Sequence, residues 1–316
     1  MRITAKAWGK VNLHLGVGPA REDGFHELVT VFQTIDLAET VTLTTLDDED
    51  APQQGSVVKQ LSVTGPAGVP TDASNLAWRA VDKLVECWRT THTDTLPMVE
   101  LHIRKGIPVA GGMAGGSADA AAALRAVDAW IGPFGEKTLV EAAAELGSDV
   151  PFCLMGGTML GTGRGEQLVD MLNRGTYHWV LVASATGLST PEVFKKFDEM
   201  SLPSHMDVTK LSQALLEGSV WSLAELLDND LAPAALSLRP DLRKIQTAGI
   251  RAGALTAMVS GSGPTIALLC EDEQSAQDIR DALIDDGIGL SVHAATSPVQ
   301  VPAKNRGAHI VSIESE

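Results

Sequence analysis

The residues with the clearest capacity for chemistry form a glycine-rich stretch over residues 108–119, Pro-Val-Ala-Gly-Gly-Met-Ala-Gly-Gly-Ser-Ala-Asp. Just upstream, Val99, Leu101 and Ile103 alternate with polar residues and predict a half-buried strand, whereas the Ala-rich run over residues 118–130 predicts a helix. Glycines let the backbone turn tightly and approach a ligand, and the first N–H groups of a helix have no partner within it. This order of strand, glycine loop and helix predicts an anion site, most often one for phosphate.

The loop differs from the two commonest phosphate-binding loops. A Walker A loop ends in Gly-Lys-Ser/Thr, whereas Gly116 is followed here directly by Ser117, with no lysine between them. The dinucleotide fingerprint needs glycines at offsets 0, 2 and 5, and no register of this loop supplies them. Close packing of a helix on a strand is the structural alternative, but four glycines and a serine at a helix start exceed what packing requires. We therefore favour phosphate binding.

Four further segments belong to the same pattern as the glycine loop, which reads Pro-x-x-x-Gly-x-x-Gly-Gly-Ser-x-Asp-Ala-Ala. They are residues 10–15 (Lys-Val-Asn-Leu-His-Leu), 22–28 (Glu-Asp-Gly-Phe-His-Glu-Leu), 147–152 (Gly-Ser-Asp-Val-Pro-Phe) and 259–265 (Val-Ser-Gly-Ser-Gly-Pro-Thr). Over about residues 5–295 the chain resembles the GHMP kinases, the small-molecule kinases that include galactokinase, homoserine kinase and mevalonate kinase.

Strand-rich and helix-rich stretches are partly segregated along the chain, which predicts an α+β fold. The resemblance implies two domains of the GHMP-kinase type, with the active site in the cleft between them. We expect an ATP-binding kinase domain over residues 1–165 and a second domain over residues 166–297. Residues 298–316 contain prolines and are weakly patterned, and so they predict a mobile tail.

The resemblance places ATP on the glycine loop, with backbone N–H groups donating to its phosphates. The residues implied to bind ATP there are Pro108, Val109, Ala110, Gly111, Gly112, Met113, Ala114, Gly115, Gly116, Ser117 and Ala118. The Ser117 hydroxyl is expected either to bind phosphate or Mg²⁺ or to cap the helix. Asn75 matches a position near the adenine, and a capping role for the helix that follows it explains it equally well.

The resemblance also implies the catalytic residues. Lys10 would bridge the transferred phosphate and the acceptor hydroxyl, and Asn12 on the same strand face would hold the acceptor. Asp149 would take the proton from that hydroxyl. Without this context, Lys10 is typical of a solvated strand lysine and Asp149 of a turn or cap residue.

Two aromatic segments are implied to bind the acceptor substrate. Phe25 would stack on a cytosine and His26 would form hydrogen bonds with it, although the family commonly has tyrosine in place of Phe25. The segment Ser-Thr-Pro-Glu-Val-Phe over residues 189–194 would place Thr190 near a diphosphate and Phe194 on the other face of the base.

These matches imply ATP-dependent phosphorylation of the 2-hydroxyl in the methylerythritol part of a cytidine diphosphate substrate, giving the 2-phosphate and ADP. The reaction belongs to the non-mevalonate route to isoprenoid precursors. One alternative is a sister kinase for homoserine or a mevalonate derivative, which Phe25 and His26 disfavour because those acceptors have no base. Another is a regulator that binds sugar or nucleotide without catalysis, which the presence of Lys10, Asp149 and the glycine loop disfavours.

Composition narrows the class of protein further. The 316 residues include 40 acidic and 24 basic side chains, a formal charge of −16, which argues against binding of nucleic acid or an anionic membrane. No apolar run approaches the roughly 20 residues of a membrane span, and no leader pattern follows Met1, so we expect a cytoplasmic protein. The three separated cysteines fit a reducing compartment. Either a monomer or a homodimer is compatible with the sequence.

Overall fold

Two β-sheets and the helices packed on them make up the protein, which we describe from a computed structural model covering residues 1–22, 24–109, 111–184, 186–289 and 291–315. The strands are β1 (Arg2–Ala20), β2 (His26–Asp50), β3 (Val58–Thr64), β4 (Pro97–Arg104), β5 (Thr158–Thr162), β6 (Gln167–Asp170), β7 (Tyr177–Ala183), β8 (Asp228–Asn229), β9 (Thr256–Val259), β10 (Ile266–Cys270), β11 (Ser291–Ser297) and β12 (His309–Glu314).

The helices follow the first three strands and are concentrated again in the second half of the chain. They are α1 (Leu76–Arg89), α2 (Gly115–Ile131), α3 (Glu136–Leu146), α4 (Val150–Met155), α5 (Thr190–Met200), α6 (Thr209–Glu217), α7 (Val220–Ala224), α8 (Ala232–Leu238), α9 (Leu242–Arg251) and α10 (Glu273–Asp285), with a 3₁₀ turn at Ala303–Asn305. The mixture of largely antiparallel sheets and separate helical stretches confirms the predicted α+β class.

The first sheet has the strand order β12-β1-β2-β4-β3, with β5 and β6 attached beside β2 and β8 paired in parallel with β1. The second sheet has the order β11-β7-β10-β9 and is entirely antiparallel. A large apolar core lies between the first sheet and helices α1, α2 and α3. The alanines that lead α2 are fully buried, and their small side chains let this helix pack closely on the sheet.

β1 is the strand that positions the predicted catalytic groups. Val11, Leu13 and Leu15 point to one face and are buried in apolar cores. The alternate face carries Lys10 and Asn12, which are also buried, as polar groups rather than as the solvated face that alternation alone would predict. A strand that is buried on both faces holds its side chains in fixed directions.

The segment expected to be a tail contains an ordered element. β12 pairs with β1 in antiparallel register from Arg2 opposite Glu314 to Lys6 opposite His309, so residues 309–314 form an edge strand of the first sheet. The prediction overlooked this strand because its pairing partner lies at the other end of the sequence. β6 pairs with β5 and so extends the first sheet past residue 165, the predicted end of the first domain. The domain boundaries stay a prediction.

No helix in the described part of the chain combines the length and the apolar character that a membrane span requires. The three cysteines are free, with Cys153 and Cys270 buried and Cys87 half-buried. The two buried thiols fill the interior as small apolar groups.

Candidate active site

The glycine loop joins β4 to α2 with a backbone that side chains disfavour. Gly111 and Gly112 have φ angles of +83° and +91°, and Ala114 has a φ of +60°. α2 begins at Gly115, and Ala114 at its N-cap provides no side-chain hydrogen bond to the helix. The Ser117 hydroxyl is not the cap either, so this end of α2 keeps N–H groups available for an anion.

The segment over residues 259–265, here called the third glycine motif, holds the glycine loop from the opposite side. The Ser260 hydroxyl donates to the Gly112 carbonyl at 2.8 Å, and the Thr265 hydroxyl donates to the Gly111 carbonyl at 2.6 Å. A Cβ placed on Gly112 would lie 2.5 Å from the Ser260 carbonyl oxygen, which leaves no room for a side chain. The turn between β9 and β10 therefore fixes the glycine loop, which a simple hairpin would not do.

Gly112→Ala is expected to raise the KM for ATP at least tenfold, because the backbone must shift where the loop touches Ser260. Gly135→Ala is the matched control. Gly135 has a similar φ of +82° but nothing lies within 4 Å of its added Cβ. Both variants should lose about 1–3 kcal/mol of unfolding free energy in urea titrations, since both force alanine into a positive φ. Equal KM values for ATP in the two variants would contradict the close fit at Gly112.

A buried ion cluster lies beneath the loop and joins three elements. The Lys105 ammonium is 2.7 Å from Glu39 Oε1 and 2.6 Å from Asp119 Oδ2, and all three side chains are at most 4% exposed. The Gly106 N–H also donates to Glu39. Burial raises the pKa of Asp119 to about 7 against the opposing effect of the Lys105 charge, and burial likewise raises the pKa of Glu39. The cluster fixes the first turn of α2 to β2 and to the end of β4.

Sequence reasoning identified neither Glu39 nor Lys105. A lysine after a strand and a glutamate within one are typical of solvated charges, and nothing local shows that both are buried. Their only sequence signal is Asp119, the acidic residue within the glycine motif, which needs a cation if it is buried.

The two predicted catalytic residues lie close together. Lys10 Nζ is 3.6 Å from Asp149 Oδ2 and donates a hydrogen bond of 2.6 Å to Asn12 Oδ1. Asn12 in turn donates to the Thr30 hydroxyl at 2.9 Å. The ammonium is 4% exposed, whereas the Asp149 carboxylate is 32% exposed. The Lys10 ammonium is thus held within the protein by Asn12, whereas the Asp149 carboxylate remains accessible to a ligand.

Asp149 occupies the N-cap position of α4, yet its side chain forms no capping hydrogen bond. The cap that sequence reasoning offered as an alternative is therefore not made. Gly261 approaches this group closely, because a Cβ there would lie 3.2 Å from Lys10 Nζ and 3.4 Å from Asn12 Oδ1. The third glycine motif thus contacts both the phosphate loop and the Lys10–Asn12 pair.

Asn229, which sequence reasoning missed, holds that motif in place. Its buried side-chain amide donates to the carbonyls of Val259 and Gly261 at 2.7 and 2.8 Å. Its Oδ1 accepts from the Leu231 N–H at 2.9 Å. β8, which carries Asn229, pairs with β1, so the strand of Lys10 and the turn at Gly261 share one support.

These groups surround one cavity of about 430 Å³ with contributions from both halves of the chain. The sequence-predicted residues that line it are Lys10, Asn12, Pro108, Val109, Gly111, Gly112, Ala114, Gly115, Gly116, Ser117, Asp149, Thr190 and Phe194. Ala110 lies outside the described residues. Met113 and Ala118 are fully buried, so they support the loop from within the core.

Asn75 uses its amide within the protein. Its Oδ1 accepts from the Ala77 N–H at 2.8 Å, and its Nδ2 donates to the Pro70 carbonyl at 2.7 Å. The capping role that sequence analysis weighed is therefore present in the structure, and contact with an adenine stays a prediction.

Thr190 and Phe194, both on α5, line one side of the cavity, whereas Phe25 and His26 are not among the described residues that line it. The Thr190 hydroxyl is 2.8 Å from the Ser262 hydroxyl. Phe194 lines the cavity, and the half-exposed ring of Phe25 lies 5.1 Å from the Arg164 guanidinium. His26 is buried, and both of its ring nitrogens lie near protein oxygens, so a side-chain hydrogen bond to a base would need one of them released.

Family profiles match both halves of the chain. The profile described as GHMP kinases N terminal domain matches residues 75–157, and the one described as GHMP kinases C terminal matches residues 211–289. The chain is 80% identical over 316 residues to a 4-diphosphocytidyl-2-C-methyl-D-erythritol kinase of Corynebacterium efficiens, covering 100% of both chains. The chain belongs to the 4-diphosphocytidyl-2-C-methyl-D-erythritol kinases, within the GHMP kinase family. A Corynebacterium diphtheriae protein of the same name is 54% identical, with 98% of this chain and 97% of the relative covered.

Solved structures agree with this family assignment. A 4-(cytidine 5'-diphospho)-2C-methyl-D-erythritol kinase superimposes with a TM-score of 0.74 at 28% identity, covering 94% of this chain and 99% of that one. A homoserine kinase from Cytophaga hutchinsonii has a TM-score of 0.71 at 21% identity, with 98% and 97% covered. The second likeness shows the shared fold, and together with the family profiles it confirms the predicted GHMP-kinase-like architecture.

Proposed function

We propose that this GHMP kinase transfers the γ-phosphate of ATP to the 2-hydroxyl of 4-diphosphocytidyl-2-C-methyl-D-erythritol, in the biosynthesis of isoprenoid precursors. The observation that carries the proposal is the Lys10–Asp149 pair, 3.6 Å apart, in the same cavity as the glycine loop. Phosphoryl transfer asks a protein mainly for positioning and charge neutralisation, and this cavity provides both.

Each group has a distinct role in the proposed reaction. The N–H groups at the start of α2 bind the β- and γ-phosphates of ATP. Asp149 accepts the proton of the 2-hydroxyl while the oxygen of that hydroxyl bonds to the γ-phosphorus. The bond between the γ-phosphorus and the oxygen that leaves with ADP breaks in the same step. Lys10, fixed by Asn12, lies beside that carboxylate and offsets negative charge on the phosphoryl oxygens.

Magnesium fits this site through Ser117. Mg²⁺ prefers oxygen ligands and is usually held by few protein groups together with substrate phosphates. The Ser117 hydroxyl lines the cavity at the start of α2 and makes no capping bond, so it is placed to hold such an ion. Bound there, magnesium would neutralise charge on the β- and γ-phosphates.

The substrate side supports a ligand with a base. Phe194 lines the cavity, and the half-exposed ring of Phe25 lies 5.1 Å from the guanidinium of Arg164, which also lines it, so both rings are candidates to stack on cytosine. The 28% identical solved structure carries the same kinase name, whereas the homoserine kinase match supports the fold alone. A cytoplasmic location, the absence of nucleic-acid partners, and a monomeric or homodimeric state stay predictions.

An ADP-release assay on the purified full chain tests the proposal. The protein is given ATP and Mg²⁺ with the cytidyl substrate, homoserine or mevalonate in parallel. Release of ADP that depends on the cytidyl substrate is expected. Turnover of homoserine or mevalonate in its place, or of none of the three, would overturn the proposed function.

Phe25→Ala is expected to weaken binding of the cytidyl substrate by roughly 1–3 kcal/mol, since it removes a ring that stacks on the base. Phe25→Tyr is the matched variant, because it preserves the ring and should bind like the unaltered protein. Calorimetric titration with each ligand separates the two sites, and ATP affinity should not change in either variant. Loss of ATP affinity with unchanged affinity for the cytidyl substrate would contradict the placement of the two ligands.

A further inference from the structure

Helix α5 surrounds the imidazole of His26 with three side chains. Phe194, Phe197 and Asp198 are spaced i, i+3 and i+4, so they share one face of the helix. The ring of Phe194 stacks on His26 with centroids 5.2 Å apart and an interplanar angle of 29°. Phe197 meets the same imidazole edge-on, at 6.2 Å and 80°.

Both nitrogens of this imidazole face oxygen atoms that accept hydrogen bonds. Nδ1 lies 2.8 Å from the Gly18 carbonyl oxygen, and Nε2 lies 3.3 Å from Asp198 Oδ1. Both oxygens can accept a hydrogen bond from a ring N–H, so the two contacts together fix the orientation of the imidazole. The His26 side chain is 6% exposed and that of Asp198 is 51% exposed, which makes Asp198 the outer support of a buried ring.

The position of the His26 imidazole matters because Phe194, which packs on it, lines the cavity. Phe194 lines the cavity and stacks on His26, whereas His26 is not among the described residues that line the cavity. The imidazole therefore supports Phe194 from behind. A change in its orientation would alter the surface that Phe194 presents to a ligand.

We propose that Asp198 is a positioning residue for substrate recognition: it fixes the imidazole of His26, which in turn holds Phe194 in the wall of the cavity. This inference rests on the proposed function, because Phe194 lies on the side assigned to the cytidyl substrate. Asp198 acts through His26 and Phe194 and takes no part in phosphoryl transfer. It therefore affects binding of the acceptor and leaves the nucleotide site unchanged.

Steady-state kinetics of Asp198→Ala test the proposal, with each substrate varied at saturating levels of the other. We expect the KM for the cytidyl substrate to rise about fivefold, a typical effect of losing one partly exposed ionic contact. kcat and the KM for ATP should stay within twofold of the unaltered protein. Asp198→Asn should recover part of the effect, because its amide oxygen still accepts a hydrogen from Nε2.

Glu199→Ala is the matched control. Glu199 is the adjacent acid of α5 and contacts Lys196 at 3.1 Å, so its loss should leave all three constants unchanged. An unchanged KM for the cytidyl substrate in Asp198→Ala, or an equal rise in Glu199→Ala, would overturn the proposal. So would a loss of kcat and ATP binding in parallel with the rise in that KM, since this would indicate general disruption.

A second measurement does not depend on the substrate. ¹⁵N NMR of the His26 imidazole, recorded for both proteins at the same pH, should show a changed Nε2 chemical shift in Asp198→Ala, because that nitrogen loses the carboxylate 3.3 Å away. Identical imidazole signals in the two proteins would overturn the role of Asp198. If the unaltered protein fails to phosphorylate the cytidyl substrate while the NMR difference is present, the proposed function fails and the Asp198–His26 contact stands.

Discussion

Asp149→Asn is expected to reduce kcat by about 10²- to 10⁴-fold, the usual contribution of a positioned general base. The amide cannot take the proton of the attacking hydroxyl, although it has nearly the same shape as the carboxylate. The fold should be retained, because the Asp149 side chain forms no capping bond to α4 and is partly exposed. Turnover measured alongside circular dichroism checks both statements.

Asp272→Asn is the control for this variant. Asp272 also stands at a helix N-cap, and its side chain accepts a hydrogen bond from the Ser275 N–H at 2.8 Å. Asparagine caps nearly as well, so both activity and stability should be preserved. Retention of more than about a tenth of the activity in Asp149→Asn would remove the general-base role.

Lys10→Met is expected to lower kcat by about 10²- to 10³-fold, the range found when one donor that stabilises transition-state charge is removed. Methionine fills much of the space of the lysine stem, but it leaves Asn12 Oδ1 without its donor and Asp149 without its neighbouring cation. Because the ammonium acts on charge that develops during transfer, kcat should fall more than KM rises.

Lys6→Met provides the comparison on the same strand. Lys6 lies four residues before Lys10 on β1, with its ammonium 4.0 Å from the centroid of the Trp8 ring, and it is not among the described residues that line the cavity. Its loss should leave kcat unchanged. A raised KM with an unchanged kcat in Lys10→Met would show that Lys10 binds substrate without assisting the transfer.

Local pattern was sufficient to predict the strand and the helix that flank the glycine loop. The alternation of Val99, Leu101 and Ile103 is observed as β4, and the helix predicted over residues 118–130 is observed as α2, which begins three residues earlier. β12, a strand of six residues within the predicted tail, escaped prediction. Such short strands are defined by a partner that is distant in the sequence and not by their own periodicity.

The site residues likewise fall into those that local sequence predicts and those that only the folded core brings together. The glycine loop was recognisable from the sequence because its backbone demands glycine at Gly111 and Gly112. Pairing of Lys10 with Asp149 came from the family resemblance, since the two lie far apart in the sequence. The partners of Lys105 and of His26 could not be predicted, because each contact joins elements whose relative placement is set only by the folded core.

The pairing of β1 with β12 has a consequence for synthesis of the protein on the ribosome. β1 carries Lys10 and Asn12, and its edge from Arg2 to Lys6 stays without β12 as a neighbour until residues 309–314 have been translated. Non-local pairings of this kind form late, and an unpaired strand edge is open to other chains while it waits. The strand that carries Lys10 and Asn12 is therefore completed only after the other described strands have been translated, and until then its edge is open to mispairing.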